Sequence, residues 1–389
     1  MYKTIDEFCF RSKNLYNAAN YIVRQEFINN KKYIGYYDMD KLMQKTSEYK
    51  ALMSQASQCT LQALDRCWRS FFAGIKDWKQ NHSKYLGMPK LPKYKDKDGR
   101  YPWFLKSNNT YIKDGYLYFR IKAMNGYKFK TNFQGRYITT RFIPKGSIYV
   151  MEIVYEIEIQ DILPEFKNIV ALDLGVNNFV TMTNNIGMKP IIINGKGIKS
   201  INQFYNKRKA KLQSDTKKRN RKFWSNKLDV LTLKRNNIIK NFVHNVSHYI
   251  IDYCNSYNID TIVIGHNNEW KQNTKLNKHN AQQFEFIPFN MLIDQLKYKG
   301  LENQINVVIT EEGYTSGTSF LDGEEPIKEN YNKKRRIKRG LFKSNKGIII
   351  NSDVNGSLQI MKKVFPNAFA DGIKGCLTPV VINVVKFAM

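Results

Sequence analysis

The spacing of apolar residues changes twice in the first part of the chain, and each change predicts a different structure. Between 10 and 85 apolar residues recur every three or four positions, which predicts helices. A basic stretch with Pro and Gly at 86–100 breaks this pattern and marks a boundary. From about 110 to 160 the period is two and Gly-containing turns separate the segments, which predicts a small β-barrel or curled sheet.

After Pro164 the pattern predicts strands and helices in mixed order. The expected elements are strands at 168–174, 179–183 and 190–194, a helical region at 199–257, a strand at 261–265, a helix at 288–300 and a strand at 306–310. Short turns predict antiparallel pairing of the first three strands, and strands flanked by helices are expected to be parallel and central. Three meandering strands followed by helix, strand, helix and strand is the order of an RNase H-like fold.

Length and charge narrow the classes of function. The chain has 389 residues, enough for two or three domains with buried cores. Its 63 Lys and Arg residues against 33 Asp and Glu give a formal net charge of +30, which attracts polyanions, above all nucleic acid. The alternative is a ribosome-like or merely solubilising basic surface. Tyr and Phe lie among the basic residues, as stacking on unpaired bases requires, although many of them must belong to the core.

The sequence indicates neither a membrane protein nor a disulfide-rich protein. No apolar run is long enough to cross a bilayer, and the first residues lack a basic-then-apolar signal peptide. The five cysteines form no Cys-x-x-Cys pair. Scattered cysteines of this kind suit a reducing cytoplasm, and they argue against a disulfide framework and against a cysteine-rich zinc site.

Three acidic residues lie where a nuclease needs metal-binding carboxylates. Asp173 ends one apolar run, Glu312 follows another, and Asp353 opens a helical pattern. Clustered carboxylates repel each other and are tolerated mainly when divalent cations lie between them. Two such cations can activate a water and stabilise the leaving oxygen of a phosphodiester. An acidic centre in a basic chain therefore indicates cleavage of nucleic acid.

Each acid also has an ordinary explanation when it is taken alone. Asp173 fits a turn cap, and Asp-x-Gly also opens actin-like ATPases, although no second Gly-rich phosphate loop is present. Strand alternation sends Glu311 and Glu312 to opposite faces, so one of them can join the cluster. Asp353 fits a first-turn helix acid, and Asn355 can cap that helix or add an oxygen ligand. The order of the acids on the expected fold favours the joint interpretation.

Runs of Lys and Arg flank the acids along the chain. Such runs are usually solvated faces, but their position on both sides of the acids favours contact with phosphates. The predicted nucleic-acid-binding residues are Lys207, Arg208, Lys209, Lys217, Lys218, Arg219, Arg221, Lys222, Lys333, Lys334, Arg335, Arg336 and Arg339. His244 and His248 have the spacing of a metal pair but no apparent third ligand, so structural histidines are expected.

Several motifs together resemble TnpB, the OrfB proteins of insertion sequences. They include Ile-Val-Ile-Gly-His-Asn-Asn-Glu-Trp-Lys from Ile262, Glu-Glu-Gly-Tyr-Thr-Ser-Gly-Thr-Ser-Phe-Leu-Asp from Glu311, and Asn-Ser-Asp-Val-Asn-Gly from Asn351. Upstream, Phe71-Phe72 and Pro-Lys-Leu-Pro-Lys-Tyr from Pro89 also resemble the family. The likeness extends over nearly the whole chain.

The resemblance implies an α+β multidomain fold and an RNA-guided DNA endonuclease similar to an ancestor of type V CRISPR effectors. Asp173, Glu312 and Asp353 take the three acids of a RuvC nuclease domain of RNase H-like fold. The implied parts are a helical recognition domain at 1–85, a β-barrel wedge at 86–165, RuvC parts at 166–312 and 349–389, and a target-nucleic-acid-binding insert at 313–348.

This sequence departs from the family in two places. Many relatives carry two zinc-binding Cys-x-x-Cys pairs in the insert, and the first pair would fall at Ser319 and Asp322. No Cys lies between 255 and 375, so the chain resembles a zinc-less branch, and the insert is expected to fold without zinc. The family also often begins with a further basic strand of the wedge, whereas this chain begins almost directly with helix.

We therefore expect a cytoplasmic bacterial enzyme, nucleoid-associated when bound to DNA, that needs Mg²⁺ or Mn²⁺ and a guide RNA. The guide derives from the transposon end and pairs with double-stranded target DNA, displacing one strand, while the protein reads a short flanking motif. The alternatives are an RNA-guided repressor that binds without cutting and a DNA strand-transferase, since RNase H-like acids also serve transposases.

Overall fold

The structure is a computed structural model of the chain. It describes residues 1–389 apart from 133–134, 160, 162–164, 221–222, 268–285, 371, 373–374 and 386–389. The predicted phosphate-binding residues Arg221 and Lys222, and the Glu-Trp-Lys end of the motif that begins at Ile262, lie outside the described residues. Two compact units are present, Met1–Glu158 and Ile159–Met389. The predicted boundary at 85–86 falls inside the first unit, so the division between helical part and wedge stays a prediction.

Helices come first and strands second in the first unit. The helices are α1 (Tyr2–Asn30), α2 (Tyr36–Met43), α3 (Ser47–Lys50) and α4 (Ser54–Gln80), with a 3-10 turn at His82–Lys84. The strands are β1 (Trp103–Leu105), β2 (Thr110–Lys113), β3 (Tyr116–Phe119), β4 (Lys128–Lys130), β5 (Arg136–Lys145) and β6 (Ile148–Glu156), with a 3-10 turn at Lys122–Met124. They form two three-stranded antiparallel sheets, β1-β5-β6 and β2-β3-β4. Closure into a barrel stays a prediction.

Aromatic side chains make up much of the core of the first unit. Trp68 of α4 is fully buried, packs against Phe27 of α1, and donates its indole N–H to Asn20 Oδ1 at 3.1 Å. Trp103 of β1 stacks between Phe8 and Phe142. Burying an aromatic side chain stabilises a fold by about 1.5–3 kcal/mol. A buried indole usually has a polar partner, as that of Trp68 does, whereas Trp103 Nε1 has none among the described residues. These contacts join helices and strands in one core.

The basic stretch after α4 is tied to α1 along residues 88–97, which we call the strap. Asn17 and Lys95 exchange two hydrogen bonds, from Asn17 Nδ2 to the Lys95 carbonyl at 2.9 Å and from the Lys95 amide to Asn17 Oδ1 at 2.8 Å. Asn20 Nδ2 and Arg24 Nη1 both donate to the Pro92 carbonyl, at 3.0 and 2.8 Å. Polar side chains one or two turns apart on one helix face therefore bind an extended backbone that has no strand partner of its own.

The second unit is built on one mixed sheet. Its elements are β7 (Ile169–Leu174), β8 (Asn178–Asn184), β9 (Ile191–Asn194), α5 (Lys196–Asn220), α6 (Asn226–Ser256), β10 (Thr261–Gly265), α7 (Phe289–Glu302), β11 (Asn306–Thr310), a 3-10 turn at Lys333–Arg335, β12 (Leu341–Lys343), β13 (Ile349–Asn351), α8 (Ser352–Val364) and β14 (Val380–Ile382). The strand order is β11-β10-β7-β8-β9-β14, and β12 pairs with β13 separately.

The pairing of the main sheet agrees with the sequence prediction. β7, β8 and β9 are antiparallel neighbours, and β10 is parallel to both β7 and β11. Within the described strands β10 is central, whereas β11 forms an edge. The parallel pairing of β14 with β9 was not predicted, because β14 is short and lies after a stretch rich in Gly and Pro.

Alternation along β7 assigns its side chains to two layers. Val170, Leu172 and Leu174 are buried in the same core as residues of α6 and α7. Ile169 and Ala171 are buried on the other face, together with Ile360 and Met361 of α8. Because successive strand residues point to opposite faces, Asp173 is directed to the α8 side. No described helix is both long and apolar enough to span a membrane.

Candidate functional site

Asp173 lies against the first turns of α8. A Cβ atom placed on Gly356 of α8 would be 2.8 Å from Asp173 Oδ2, so the absence of a side chain at 356 makes room for the carboxylate. Ser357 holds α8 on the sheet through its hydroxyl, which donates to the Ala171 carbonyl at 2.9 Å. The strand and the helix thus bring the Asp173 carboxylate and the helix N-terminus together.

Glu312 reaches the same region from the end of β11. Its amide donates to Asn267 Oδ1 at 2.8 Å, and its side chain lies over Gly265, the last residue of β10. A Cβ on Gly265 would be 2.7 Å from Glu312 Cγ and 2.9 Å from Oε1. Oε1 is buried and has no hydrogen-bond partner within the described part of the chain. Glu311 is exposed, which agrees with the prediction that the two neighbours diverge.

Asp353 is a first-turn residue of α8. Asn351 caps this helix, and its Oδ1 accepts hydrogen bonds from the Asp353 and Val354 amides at 2.9 and 3.2 Å. Asp353 Oδ2 accepts from Asn178 Nδ2 at 2.6 Å, while Arg336 Nη2 lies 3.6 Å from Oδ1. The residue is therefore a helix-start acid, and it also belongs to the carboxylate group.

Burial and mutual repulsion dominate the electrostatics of this group. The pKa of Asp173 is raised well above its usual value by burial first, and then by the charges of Glu312 and Asp353, while Arg336 acts in the opposite direction. Burial raises the pKa of Glu312 to about 7. Carboxylates that lie close together at a partly buried site are costly unless cations compensate their charge. We call Asp173, Glu312 and Asp353 the carboxylate cluster.

The cluster matches the chemistry of a divalent cation site in its donor atoms. Carboxylate oxygens are the ligands that Mg²⁺ and Mn²⁺ prefer, and the buried Glu312 Oε1 lacks a partner. As they stand, however, no three His, Cys, Asp or Glu side chains among the described residues converge tightly enough to hold one ion. Asp353 is turned toward Asn178 and Arg336, which accounts for this difference.

Most predicted phosphate-binding residues are exposed. On α5, Lys207, Arg208, Lys217, Lys218 and Arg219 face solvent, whereas Lys209 is half-buried over the Tyr205 ring at 5.9 Å. In the insert, Lys333, Lys334 and Arg339 are exposed. Their role on nucleic acid stays a prediction.

Arg335 and Arg336 both contact acids of the protein. Arg335 forms a bidentate ion pair with Glu324, with an Nη2–Oε1 distance of 2.7 Å, and only 14% of its side chain is exposed. This ion pair gives Arg335 a structural role, and its contact with phosphate stays a prediction. Arg336 is directed to Asp353 and to Ser352 Oγ, the latter at 3.3 Å.

Asn355 has another role than the two considered from sequence, and the two histidines differ in their surroundings. Asn355 neither caps α8 nor joins the cluster. Its Oδ1 accepts from the Phe320 amide and its Nδ2 donates to the Thr318 carbonyl, which fastens the insert to α8. His248 is exposed with Nδ1 3.3 Å from Asp252, and His244 is half-buried. Burial lowers the pKa of His244, as does the nearby Lys299.

Sequence reasoning missed the residues that shape the cluster. Gly265 and Gly356 leave the space that the carboxylates occupy, Asn178 and Asn267 bond to the cluster residues, and Lys363 Nζ donates to the Glu311 carbonyl at 2.8 Å. A glycine at the end of a buried strand signals close approach of another group, so Gly265 carried a detectable signal. The two asparagines carried none, because their partners are distant in sequence.

Comparisons with known proteins place the cluster within two family matches. Residues 152–271 match the family model OrfB_IS605, described as a probable transposase. Residues 289–360 match the model described as Cas12f1-like, TNB domain. No curated protein matches the chain.

Two solved structures are similar over most of the chain. One is titled "Cryo-EM structure of the Cas12f1-sgRNA-target DNA complex", with 14% identity, a TM-score of 0.39, and coverage of 91% of this chain and 93% of that chain. The other is "Cryo-EM structure of CRISPR-Cas12f Ternary Complex", with 14% identity, a TM-score of 0.40, and coverage of 92% and 80%. At these TM-scores the likeness decides nothing about activity.

The family matches follow one another in the expected order. Asp173 lies within the first, and Glu312 and Asp353 lie within the second. Together with the motifs from Ile262, Glu311 and Asn351, they support a TnpB-like protein.

Proposed function

We propose that this TnpB-like protein is an RNA-guided DNA endonuclease that cuts target DNA beside a short flanking motif. The observation that carries the proposal is the carboxylate cluster at the carboxyl ends of β7 and β11 and the start of α8. An acid whose pKa is raised by burial and by neighbouring carboxylates, as that of Asp173 is, is costly for a fold, and active sites are where such acids concentrate. The net charge of +30 supports a polyanionic substrate.

Asp173, Glu312 and Asp353 are the residues that would hold divalent cations. Mg²⁺ or Mn²⁺ bound there supplies activation of a water and stabilisation of the leaving phosphodiester oxygen. The protein supplies the positions of the oxygens. Gly356 and Gly265 admit the Asp173 and Glu312 side chains, and Asn178 fixes one oxygen of Asp353. Arg336 balances part of the negative charge before substrate arrives.

Guide RNA and target DNA are the proposed partners. Base pairing between the guide and one DNA strand would read the sequence, while the protein reads the flanking motif and the duplex shape. The guide would derive from the transposon end, and the displaced strand would run along exposed Lys and Arg residues. This proposal includes the implied domains: a helical recognition domain at 1–85, a wedge at 86–165, an insert at 313–348 and the two RuvC parts.

Cleavage assays with the purified protein and its co-purified RNA test the proposal. Asp173→Ala, Glu312→Ala and Asp353→Ala should each abolish cutting of a plasmid that carries the matching target, while RNA binding is retained, because the acids serve chemistry. Glu311→Ala is the matched control and should be milder, since Glu311 is exposed. Loss of activity in Glu311→Ala with normal activity in Glu312→Ala would show that the assignment is off by one residue.

The same purified protein and its co-purified RNA distinguish two other functions. Guide-dependent binding by the wild-type protein without any cut, with Mg²⁺ and Mn²⁺ supplied, would indicate a repressor. The name of the first matching family favours testing a strand-transferase as well. Strand-transfer products on transposon-end DNA, formed without RNA, would establish that activity instead.

A further inference from the structure

A groove of about 560 Å³ lies in the first unit between α1, α4 and the strap. Its floor is apolar. Phe27 of α1 and Phe71 of α4 meet edge to face with their ring centroids 6.3 Å apart, and Pro89 of the strap packs over Gly74. The volume lies within the range of ligand clefts, roughly 300–1,000 Å³. The groove can therefore admit a planar ring and part of its attached chain.

Four cationic residues surround this floor, and we call the whole feature the cationic groove. They are Arg24 and Lys31 of α1 and Lys90 and Lys93 of the strap. Within the described part of the chain no carboxylate lines the groove and none of the four forms a salt bridge. Like charges around an apolar surface repel each other, so an anion bound between them would be stabilised.

Hydrogen bonds hold the walls of the groove in place before any partner arrives. The strap is bound to Asn17, Asn20 and Arg24 by the hydrogen bonds to its backbone that are described above. Arg24 also lies over the Tyr94 ring, 5.1 Å from its centroid. A preformed site loses little conformational entropy on binding.

We propose that the cationic groove binds an unpaired strand of DNA, with a base against Phe27 and Phe71 and phosphates at Lys31, Lys90 and Lys93. Aromatic side chains beside a track of cations are the usual means of holding single strands. The lining side chains include no hydroxyl, amide or carboxylate oxygen that could accept a hydrogen bond from a 2′-hydroxyl. An RNA strand would place that O–H against the groove without a side-chain acceptor, so DNA is favoured. The proposal rests on the proposed function only in taking DNA as the target.

Photocrosslinking to the full-length protein tests the proposal without relying on cleavage. The probe is a thymidine-rich single strand of about ten nucleotides with one 5-iododeoxyuridine, used without divalent cations. Crosslinked peptides should contain Phe71 or strap residues 88–93. Phe71→Leu keeps the apolar volume and should lose the crosslink at 71 while the protein stays folded.

A charge-matched pair of variants separates the groove from general attraction to a basic protein. Lys31→Gln/Lys90→Gln/Lys93→Gln should reduce crosslink yield several-fold and flatten the dependence of log affinity on log salt by about 2. Lys41→Gln/Lys45→Gln/Lys50→Gln removes the same charge from exposed positions elsewhere in the unit and should leave both unchanged. Equal losses in the two triple variants would overturn the proposal.

Other occupants give different results. Competition by the matching RNA strand as strong as by DNA would show that the groove does not select DNA, and equal competition by polyglutamate would show attraction to any polyanion. Either result overturns the proposal, as does a crosslink map without groove peptides. A protein that crosslinks as expected and never cuts DNA contradicts only the proposed function. A protein that cuts with its guide but gives no groove crosslink contradicts only the groove.

Discussion

Two glycines decide where two acids of the carboxylate cluster can lie. Gly356 faces Asp173 and Gly265 faces Glu312, each close enough that a methyl group would meet a carboxylate oxygen within 3 Å. At Gly356 that oxygen is at the end of a side chain, so the carboxylate can move away at modest cost to the fold. At Gly265 a Cβ would also lie 2.5 Å from Cδ1 of the buried Ile360, so a side chain there would disturb the core as well. Gly356 therefore matters for the position of its acid more than for stability.

Gly356→Ala should separate activity from stability. Ala is favoured over Gly in a helix by about 1 kcal/mol, so the thermal midpoint of the variant should not fall. Cleavage should nevertheless drop strongly. The new Cβ would lie 2.8 Å from the present position of Asp173 Oδ2 and would therefore displace this oxygen. Thermal unfolding and plasmid cleavage, measured on one preparation, check both statements.

Gly87→Ala provides the control, since a Cβ there meets nothing within 4 Å. It should leave cutting unchanged. Normal cleavage in Gly356→Ala would show that the room at 356 is not needed by Asp173.

Arg336 is a cation from the insert placed at the cluster, 3.6 Å from Asp353 Oδ1. Its positive charge repels a divalent cation at the cluster, and it stabilises the carboxylates when no cation is bound. Arg336→Gln should therefore bind Mn²⁺ several-fold more tightly, as measured by electron paramagnetic resonance of free Mn²⁺ during a titration. Arg339→Gln, an exposed change of the same charge in the same insert, should behave as the wild type. Weaker Mn²⁺ binding in Arg336→Gln would mean that Arg336 orders the cluster instead of competing with cations.

At the scale of elements, the insert at 313–348 is held by a polar network. Glu324 accepts from Arg335 and from the Ser319 amide, and Asp322 Oδ2 accepts from the Asn345 amide at 2.7 Å. Ser319 and Asp322 stand where many relatives are expected to carry a Cys pair. The network joins the two ends of the insert, which is the task that a zinc ion would perform. The absence of zinc stays a prediction, and elemental analysis that finds one tightly held zinc per chain would contradict it.

The network should make the insert sensitive to acid. Burial acts to raise the pKa of Glu324, but the hydrogen bonds from Arg335 and from Ser319 prevail and lower it. A carboxylate with a lowered folded pKa stabilises the fold above its unfolded pKa of about 4.3, and this contribution disappears as pH falls through the folded value. Hydrogen exchange of residues 319–345, corrected for intrinsic rates, should therefore accelerate below about pH 4.

Substitution of Glu324 tests the same statement. Glu324→Gln leaves Arg335 without its charged partner, which should cost about 3 kcal/mol of local stability at neutral pH and remove most of the acid dependence. The exposed pair of Arg136 and Glu156 is the control, because surface ion pairs contribute little, and Glu156→Gln should change little. If hydrogen exchange of the insert were unchanged in Glu324→Gln, the network would not be the cause of its acid sensitivity.

At the scale of the whole molecule, charge is the dominant property. With +30 on the chain, exposed basic runs repel each other until a polyanion neutralises them. RNA binding should raise the melting temperature by mass action. Affinity for RNA should fall by orders of magnitude between about 50 and 200 mM salt if six or more phosphates are contacted.

Changes in the α5 run test where that charge acts. Lys207→Gln/Lys217→Gln/Lys218→Gln should weaken RNA binding and flatten its salt dependence, as measured by filter binding. Three exposed lysines outside the predicted runs, changed as Lys234→Gln/Lys240→Gln/Lys297→Gln, serve as the control. A protein equally stable without RNA that cuts at guide-independent sites would contradict the RNA-guided proposal.

The sequence predicted the features that depend on local pattern. Strands β7 to β11 were predicted because each is a short, mainly apolar run, and the divergence of Glu311 and Glu312 followed from alternation. Features that depend on tertiary contact were not predictable. Asn355 looks like a cap in sequence, yet its partners are Thr318 and Phe320. The strap looks like a linker, because the asparagines of α1 that bind it are some 75 positions away.

The three acids of the cluster come from β7, the end of β11 and the start of α8, which is among the last elements of the chain. During synthesis the first two acids leave the ribosome well before the third. A nascent chain, or a product of a message broken before α8, therefore lacks one acid even if its first unit is already folded. Under the proposed function, cutting is thus confined to molecules that extend through α8, and shorter products would at most bind nucleic acid.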